Sequence, residues 1–211
     1  MLHTLAEKVD PRHAALLVVD VQNDFCHEDG ACAKNGWDVR PAQAMIPTLN
    51  RLIGECRSAG LPVIFVRVTH SPADDSDVWR ERQADRPNYI CREGSWGAEW
   101  YGVEPRPGEP VVVKHRYSAF VGTNLDELLR ERGIKSLIIT GTTTDRCCET
   151  AARDGFMRDY YIVFVGDCTA APNPEYHRRT LGIMAEVFGV VASADEVIAA
   201  MQPAQARMAS D

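Results

Sequence analysis

Residues Leu137 to Phe156 read LIITGTTTDRCCETAARDGF, and this stretch decides which fold the chain can adopt. Its first four residues form an apolar, β-branched run that is typical of a buried strand. Gly141 permits a sharp turn, and from Arg146 onward apolar residues recur at helical spacing. The residues predicted to face the core from this helix are Cys148, Ala151, Ala152 and Phe156. Cys147 therefore starts a helix where a strand ends, and the positive end of the helix dipole favours a thiolate there.

The rest of the chain alternates between apolar runs and amphipathic stretches in the same way. The predicted strands are 14–19, 62–68, 110–113, 137–140, 161–165 and 190–192. Helices are predicted from Pro41 up to Gly60, from Thr123 up to Gly133, from Pro174 to Phe188 and after the capping box at 193–196. The tail from Gln202 is predicted to be frayed. We expect one α/β domain over residues 1–211 with its core at about 12–201. The predicted architecture is a doubly wound, mostly parallel six-stranded sheet with helices on both faces, a Rossmann-like three-layer fold.

Residues 69–109 form a long polar connection that is unusually aromatic for a solvated loop. Long connections inside compact domains are usually functional or contain short elements. We interpret this segment as a pocket wall or lid, although any one of its rings could equally serve to pack the loop onto the domain.

Composition excludes several classes of protein. The 211 residues have a net charge of −7 and contain no Lys/Arg-rich run, so nucleic acid is not expected as a partner. No apolar run has the length of a membrane span, and the N-terminus lacks the hydrophobic segment of a signal peptide. The seven cysteines then indicate reduced thiols in a cytoplasmic protein rather than a disulfide framework.

Three predicted strands end in a chemically useful group: Asp20, Lys114, and Cys147 just beyond Gly141. Parallel strands point their carboxyl ends in one direction, so these groups can meet in one crevice. A strand-end Asp alone is as often a turn or cap residue, and a lone Cys is a weak signal. Together the three supply a proton carrier, a fixed cation and a nucleophile.

The segments LLVVDVQNDF, VVVKHRYSAF and LIITGTTTDRCCETAARDGF resemble the three signature blocks of the isochorismatase-like cysteine hydrolase superfamily. The resemblance covers most of the chain, in the family's order and spacing. Within the superfamily the chain is most similar to ureidoacrylate and related N-carbamoyl amidohydrolases. That similarity lies in the motifs K-x-R-Y-S-x-F, L-x-x-x-L-R-x-R-G-I and R-D-G-F.

The resemblance implies a role for each matching residue. Asp20 matches the catalytic acid/base, Lys114 the catalytic lysine and Cys147 the nucleophile. It also implies a cis peptide at Thr142–Thr143 and an oxyanion hole made by the backbone N–H groups of Thr143 and Cys147. The implied activity is cysteine-dependent cleavage of a C–N bond in a small amide or ureido compound through a thioester, with no cofactor, in a homodimer or homotetramer.

Other readings remain open at this stage. A single histidine, His70, with scattered acids lacks the spacing of the nicotinamidase metal site, so no metal is expected. Cys148 is best interpreted as a small buried hydrophobe. Two alternative functions remain. One is an ether hydrolase of the isochorismatase type, and the other is a catalytically idle interaction or regulatory subunit.

Substrate contacts are less well defined by the sequence than the catalytic groups. Arg116 is a candidate for a bidentate pair with a substrate carboxylate, although a surface arginine that pairs with an acid is an equal alternative. The full set of candidate substrate-binding residues is Asn23, Phe25, Trp79, Trp96, Arg116 and Tyr117.

Overall fold

The computed structural model describes residues 1–208, with side chains described for residues 1–201, and its centre is a six-stranded parallel sheet. The strands are β1 Ala14–Val19, β2 Val63–Val68, β3 Val111–Lys114, β4 Ser136–Thr142, β5 Tyr161–Ala170 and β6 Gly189–Ala192. They lie in the order β3-β2-β1-β4-β5-β6, and every neighbouring pair is parallel. The predicted doubly wound α/β fold is confirmed. The strand order runs outward from β1 in one direction to β3 and from β4 in the other direction to β6, so the topological switch point lies between β1 and β4.

Nine α-helices accompany the sheet in the described part of the chain. They are α1 Leu5–Lys8, α2 Asn23–Cys26, α3 Ala31–Lys34, α4 Arg40–Ser58, α5 Asp77–Gln83, α6 Leu125–Glu131, α7 Glu149–Phe156, α8 Pro174–Ile183 and α9 Ala194–Met208. A π-helical turn, Thr144–Cys148, precedes α7, and another, Met184–Phe188, follows α8.

Alternate residues of each central strand pack against helices on opposite faces of the sheet. Leu16 and Val18 of β1 belong to the core that α4 and α9 cover, whereas Leu17 and Val19 belong to the core under α6 and α7. All six residues of β1 are buried, as the continuous apolar run predicts.

Several boundaries differ from the sequence prediction. β5 continues past Gly166 to Ala170, because the register shifts between Ile139 and Gly141 of β4 and allows Gly141 to pair with Thr169. Phe156, predicted to face the core, is 43% exposed and packs edge-on against Phe188. Gly155 is buried instead. It packs so closely against the sheet that a Cβ at this position would lie 2.9 Å from the Leu137 Cδ1 atom.

Two isolated bridges hold the segment 69–109, one to the loop after β1 and one within the segment itself. Gln22 forms an antiparallel bridge with Trp100, and His70 forms a parallel bridge with Arg92. The segment contains α5 and a 3₁₀ turn, Trp96–Ala98.

The C-terminal helix begins at the predicted capping box, where the Ser193 N–H donates to Glu196 and the Glu196 N–H donates to the Ser193 hydroxyl. Helix α9 runs through Gln202, where fraying was predicted, to Met208. The last part of the predicted tail, residues 209–211, lies outside the described residues. Within residues 1–208 we find no helix that is both long and apolar enough to cross a bilayer.

Candidate active site

Asp20 follows the last residue of β1 and is completely buried. Its backbone adopts a left-handed conformation with φ of 49°, which turns the chain sharply at the end of the strand. Its N–H donates to the Val66 carbonyl, and its own carbonyl accepts hydrogen bonds from the Gln22 N–H and the Thr142 hydroxyl. These contacts fix the carboxylate at the carboxyl edge of the sheet.

Lys114 is the last residue of β3 and is also completely buried. Its Nζ atom lies 2.7 Å from Asp20 Oδ2 and 3.4 Å from Cys147 Sγ. A third contact, 2.9 Å to the Arg116 carbonyl oxygen, holds the ammonium from the side of the next loop. One cation therefore contacts both the carboxylate and the sulfur, although β3 and β1 are separated by β2.

Cys147 is positioned by the turn that ends β4. Gly141 has φ of 113°, and a Cβ there would lie 1.9 Å from the Val19 carbonyl oxygen, so this position accepts only glycine. The peptide bond between Thr142 and Thr143 is cis, at the position that the resemblance implied. A π-helical turn follows, and Cys147 lies in it rather than in a regular α-helix.

Burial dominates the ionisation of the three groups. It raises the pKa of Asp20, and the nearby Lys114 opposes that increase only in part. Burial disfavours the ammonium of Lys114, but Asp20 and Cys147 outweigh it and raise the pKa of Lys114 above its ordinary value. Burial, followed by Asp20, raises the pKa of Cys147 to about 12. Burial and Asp20 therefore favour the thiol, against the effect of the helix N-terminus, which favours the thiolate.

Lys114 and Cys147 line a cavity with about 420 Å³ of space, including the part that is open to solvent, and Asp20 lies buried behind them. Four of the predicted substrate-binding residues line it: Phe25, Trp79, Arg116 and Tyr117. Thr143 and Cys147, the predicted oxyanion donors, also line it. The segment 69–109 supplies one wall, through His70, Trp79, Gln83, Arg86 and Ile90.

Two of the predicted substrate-binding residues lie outside this cavity. The Asn23 side-chain amide donates to the Trp96 carbonyl oxygen at 2.8 Å, so it joins two loops instead of facing the pocket. The Trp96 ring is 47% exposed and packs edge-on against His27. Trp100 likewise packs against Phe65 of the core. The aromatic segment therefore divides its rings between the cavity wall and loop packing.

Two buried polar residues that hold the site were missed by the sequence analysis. The Gln22 amide donates to the Val68 and Ala98 carbonyls and accepts from the Val68 N–H, which ties the end of β2 to the segment 69–109. Asp24 accepts from the N–H groups of Ala31 and Cys91. Both belong to the motif DVQNDF, and polar residues directly after a buried strand were the available signal.

Three further lining residues were also missed: Trp37, Arg86 and Arg146. Arg146 precedes the nucleophile, but Trp37 and Arg86 come from distant loops whose convergence no local pattern encodes.

His70, considered above as a metal ligand, is instead held by its neighbours. Its Nδ1 atom lies 3.1 Å from Asp75 Oδ1, Tyr89 donates to the other carboxylate oxygen, and the ring stacks on Trp79. Burial lowers the pKa of His70 to about 4, so the ring is neutral at neutral pH. Among the described side chains, no group of three His, Cys, Asp or Glu is arranged to hold a metal ion.

A parallel α/β sheet with a carboxylate, a lysine and a cysteine at its carboxyl edge defines a cysteine hydrolase. The family model for the isochorismatase domain matches residues 14–196, and the chain belongs to the isochorismatase family. The family predicted from the three sequence blocks is therefore confirmed.

Relatives and solved structures refine this assignment. The chain is 32% identical over 212 residues to ureidoacrylate amidohydrolase RutB of Pseudomonas syringae pv. syringae, covering 93% of this chain and 86% of the relative. A cysteine hydrolase from Pseudomonas syringae pv. phaseolicola superposes with a TM-score of 0.84 at 28% identity, covering 93% of this chain and 96% of that one. N-carbamoylsarcosine amidase from Thermoplasma acidophilum superposes with a TM-score of 0.72 at 30% identity, covering 87% and 97%. The predicted enzyme class, a hydrolase of non-peptide C–N bonds, is confirmed.

Proposed function

We propose that Asp20, Lys114 and Cys147 hydrolyse a C–N bond of a small amide or ureido compound through a thioester intermediate. The observation that carries this proposal is the position of Lys114 Nζ, within 2.7 Å of the Asp20 carboxylate and 3.4 Å of the Cys147 sulfur, at a cavity. A nucleophile, a proton carrier and a fixed cation are the groups that covalent acyl transfer requires.

The protonation state of the site follows from its burial. With Lys114 as an ammonium, the buried trio is neutral when Asp20 and Cys147 share a single proton. A second proton, or the loss of the last one, would leave a net charge in a buried site, which is costly. Asp20 and Cys147 therefore titrate as a pair, and the proton moves between them within the neutral state.

Attack begins when the thiol proton passes to Asp20 and the sulfur bonds to the substrate carbonyl carbon. The backbone N–H groups of Thr143 and Cys147 stabilise the resulting oxyanion. Asp20 then gives its proton to the departing nitrogen as the C–N bond breaks, which leaves a thioester on Cys147 and a carboxylate at position 20.

Water completes the cycle with the same carboxylate as base. Asp20 takes one proton from water, the hydroxide adds to the thioester carbon, and the C–S bond breaks. The proton returns to the Cys147 sulfur, so the site regains its starting state. One carboxylate that acts first as acid and then as base removes the need for a catalytic histidine.

The substrate class is supported by the relatives and by the cavity. The names of the relatives specify ureidoacrylate and N-carbamoylsarcosine, which both join a ureido group to a carboxylate. The cavity beside Cys147 has several basic side chains in its lining, which suit a substrate that carries a carboxylate. We assign the chain a small ureido acid as substrate.

Ammonia release from a panel of amides tests the function. The panel contains ureidoacrylate, 3-ureidopropionate, biuret, maleamate and nicotinamide, assayed with wild-type protein and Cys147→Ala, with and without a chelator. We expect chelator-insensitive, Cys147-dependent release from a ureido acid. Normal turnover by Cys147→Ala would overturn the mechanism, and silence across the panel would overturn the substrate class.

We also propose a cytoplasmic homodimer or homotetramer. The edge strand β3 exposes Val111 and Val113, at 42% and 38%, on one face of the sheet, and a second copy can cover such a strand. The seven free thiols agree with a reducing compartment. Light scattering coupled to size exclusion measures the assembly, and a monomer would contradict it.

A further inference from the structure

The cavity is cationic, although the chain as a whole carries a net charge of −7. Four of its lining residues are basic and none is an Asp or Glu: the basic residues are Arg86, Lys114, Arg116 and Arg146. Lys114 is neutralised by Asp20. Three arginines remain. An arginine can bind a substrate only if its guanidinium is not already paired with other groups of the protein.

We propose that Arg86 and Arg146, placed around Trp37, bind the carboxylate of the substrate and make the enzyme selective for acidic ureido compounds. This inference rests on the proposed function, because it names the group that the amidohydrolase site recognises at a distance from the reacting carbonyl.

Arg146 has unused hydrogen-bonding capacity beside the nucleophile. Its Cζ atom lies 4.5 Å from the centroid of the Trp37 ring, which orients the guanidinium plane by a cation–π contact. Its Nη1 atom is buried and has no hydrogen-bond partner among the described residues. The one carboxylate near it in the described chain, Asp145, approaches Nη2 at 3.5 Å, which is long for a charge-assisted hydrogen bond. A buried N–H donor needs a hydrogen-bond partner, and a ligand in the cavity can supply one.

Arg86, which belongs to the segment 69–109, contacts the same Trp37 ring. Its Cζ atom lies 5.6 Å from the Trp37 centroid, and within the described residues no carboxylate lies within 4 Å of its guanidinium. Burial, followed by the charges of Arg82 and Arg146, lowers the pKa of Arg86. Two half-buried cations that share one ring repel each other, and an anion bound between them removes that repulsion.

Arg116, one of the candidates from the sequence for binding a carboxylate, already donates its guanidinium hydrogen bonds to backbone carbonyls. Its Nη1 and Nη2 atoms both donate to the Asp74 carbonyl at 3.1 Å, and Nη1 also donates to the His115 carbonyl at 2.7 Å. These bonds fix the loop that follows β3, whose Arg116 carbonyl in turn accepts from Lys114. We therefore assign Arg116 to positioning Lys114 and the carboxylate to the other two arginines.

Calorimetry on Cys147→Ala protein tests the proposal without turnover. The two probes are 3-ureidopropionate and its neutral amide, 3-ureidopropionamide, which differ only in the charge of one end. Two charge-assisted contacts predict that the acid binds about 10- to 100-fold more tightly than the amide. In Cys147→Ala combined with Arg86→Gln or with Arg146→Gln, this preference should fall about tenfold or more, with little change for the amide.

Two matched variants keep the test specific. Arg116→Gln removes a cavity arginine that is already bonded, and Arg82→Gln removes an exposed arginine near Arg86; both should keep the preference for the acid. Equal affinity for the two probes in the parent protein overturns the proposal, as does a preference that survives both Arg86→Gln and Arg146→Gln. Ammonia release by wild-type protein is measured in parallel. Its failure with a retained binding preference counts against the hydrolase mechanism and not against the arginine site.

Discussion

Lys114 Nζ and Asp20 Oδ2 are 2.7 Å apart, and neither side chain exposes any surface to solvent. Such a pair requires both partners, because removing one leaves an uncompensated charge in the interior. The pair also lies at the carboxyl edge of the sheet, in the site where we propose that the reaction takes place. Substitutions at either residue should therefore change more than turnover.

Asp20→Asn should separate sulfur reactivity from catalysis. Asp20 raises the pKa of Cys147 and Lys114 lowers it, so removing the carboxylate leaves the thiolate as the natural partner of the ammonium. We expect alkylation of Cys147 by iodoacetamide at pH 7 to become faster than in wild type, while turnover falls by at least about 10³-fold because no group carries the proton to the leaving nitrogen. Mass spectrometry locates the label and an ammonia assay gives the rate.

The control for that experiment is Cys147→Ala, which should take up no label at this position. The other six cysteines are buried, and burial raises the pKa of Cys26 to about 12. Slower alkylation of Cys147 in Asp20→Asn than in wild type would show that the carboxylate activates the sulfur at rest, and would contradict the resting thiol.

Lys114→Met should destabilise the fold by about 3–5 kcal/mol at neutral pH, because it leaves the Asp20 carboxylate buried without its cation. Lys114 lowers the pKa of Asp20, so its loss raises that pKa further above the value in the unfolded chain. Below the unfolded-state pKa of roughly 4, Asp20 is protonated in both the folded and the unfolded variant, so it costs no stability there. As the pH rises toward the raised pKa of Asp20 in the folded variant, the variant loses stability.

Urea unfolding at pH 4.5, 6 and 8 measures this effect. The deficit of Lys114→Met should be smallest at pH 4.5 and grow with pH. Lys135→Met, which removes an exposed lysine, serves as control and should change the free energy of unfolding by less than about 0.5 kcal/mol at each pH. A deficit that is constant with pH would show that Asp20 does not carry the uncompensated charge.

The sequence predicts that Asp20, Lys114 and Cys147 meet, because each ends or follows a strand that its own local pattern defines. β1, β3 and β4 are recognisable from apolar runs, and parallel topology brings their ends together without further information. The ionisation of Cys147 could not be predicted in this way. It depends on burial and on Asp20, which is distant in sequence, whereas the helix-dipole argument considers only the local segment.

The cavity wall shows the limit of local patterns more clearly. Trp37, Arg86 and Arg146 come from three separate segments and meet only after the long segment 69–109 has folded back. Asn23 and Trp96 were predicted as pocket residues from their residue types. Instead, the Asn23 side-chain amide donates to the Trp96 carbonyl oxygen and joins their two loops. The strand-end pattern predicted correctly that Asp20, Lys114 and Cys147 meet, but residue type did not predict how the loops pack.

The pH dependence of kcat/KM should report the paired titration of Asp20 and Cys147. Burial raises the pKa of Asp20, so the acid limb should lie above the ordinary carboxyl range around pH 4, because a second proton on the pair removes the base. His70 is neutral, with its pKa lowered to about 4, so His70→Gln should leave the acid limb in place. Activity between pH 4 and 10 provides the profile, and an acid limb that disappears with His70→Gln would assign it to the histidine instead.

Gly97→Ala should damage the site through Asp24, a residue that does not line the cavity. A Cβ at position 97 would lie 2.1 Å from Asp24 Oδ2, and this carboxylate already accepts from the N–H groups of Ala31 and Cys91. The clash must displace a buried, fully bonded group next to Phe25, so we expect a loss of about 1–3 kcal/mol in stability and a lower kcat/KM. Gly54→Ala in α4 is the matched control, since nothing lies within 4 Å of its added Cβ, and it should stabilise the helix by roughly 0.5–1 kcal/mol. Thermal unfolding and the ureido-acid assay decide the matter: a Gly97→Ala variant as stable and active as Gly54→Ala would show that Asp24 does not hold the Phe25 wall in place.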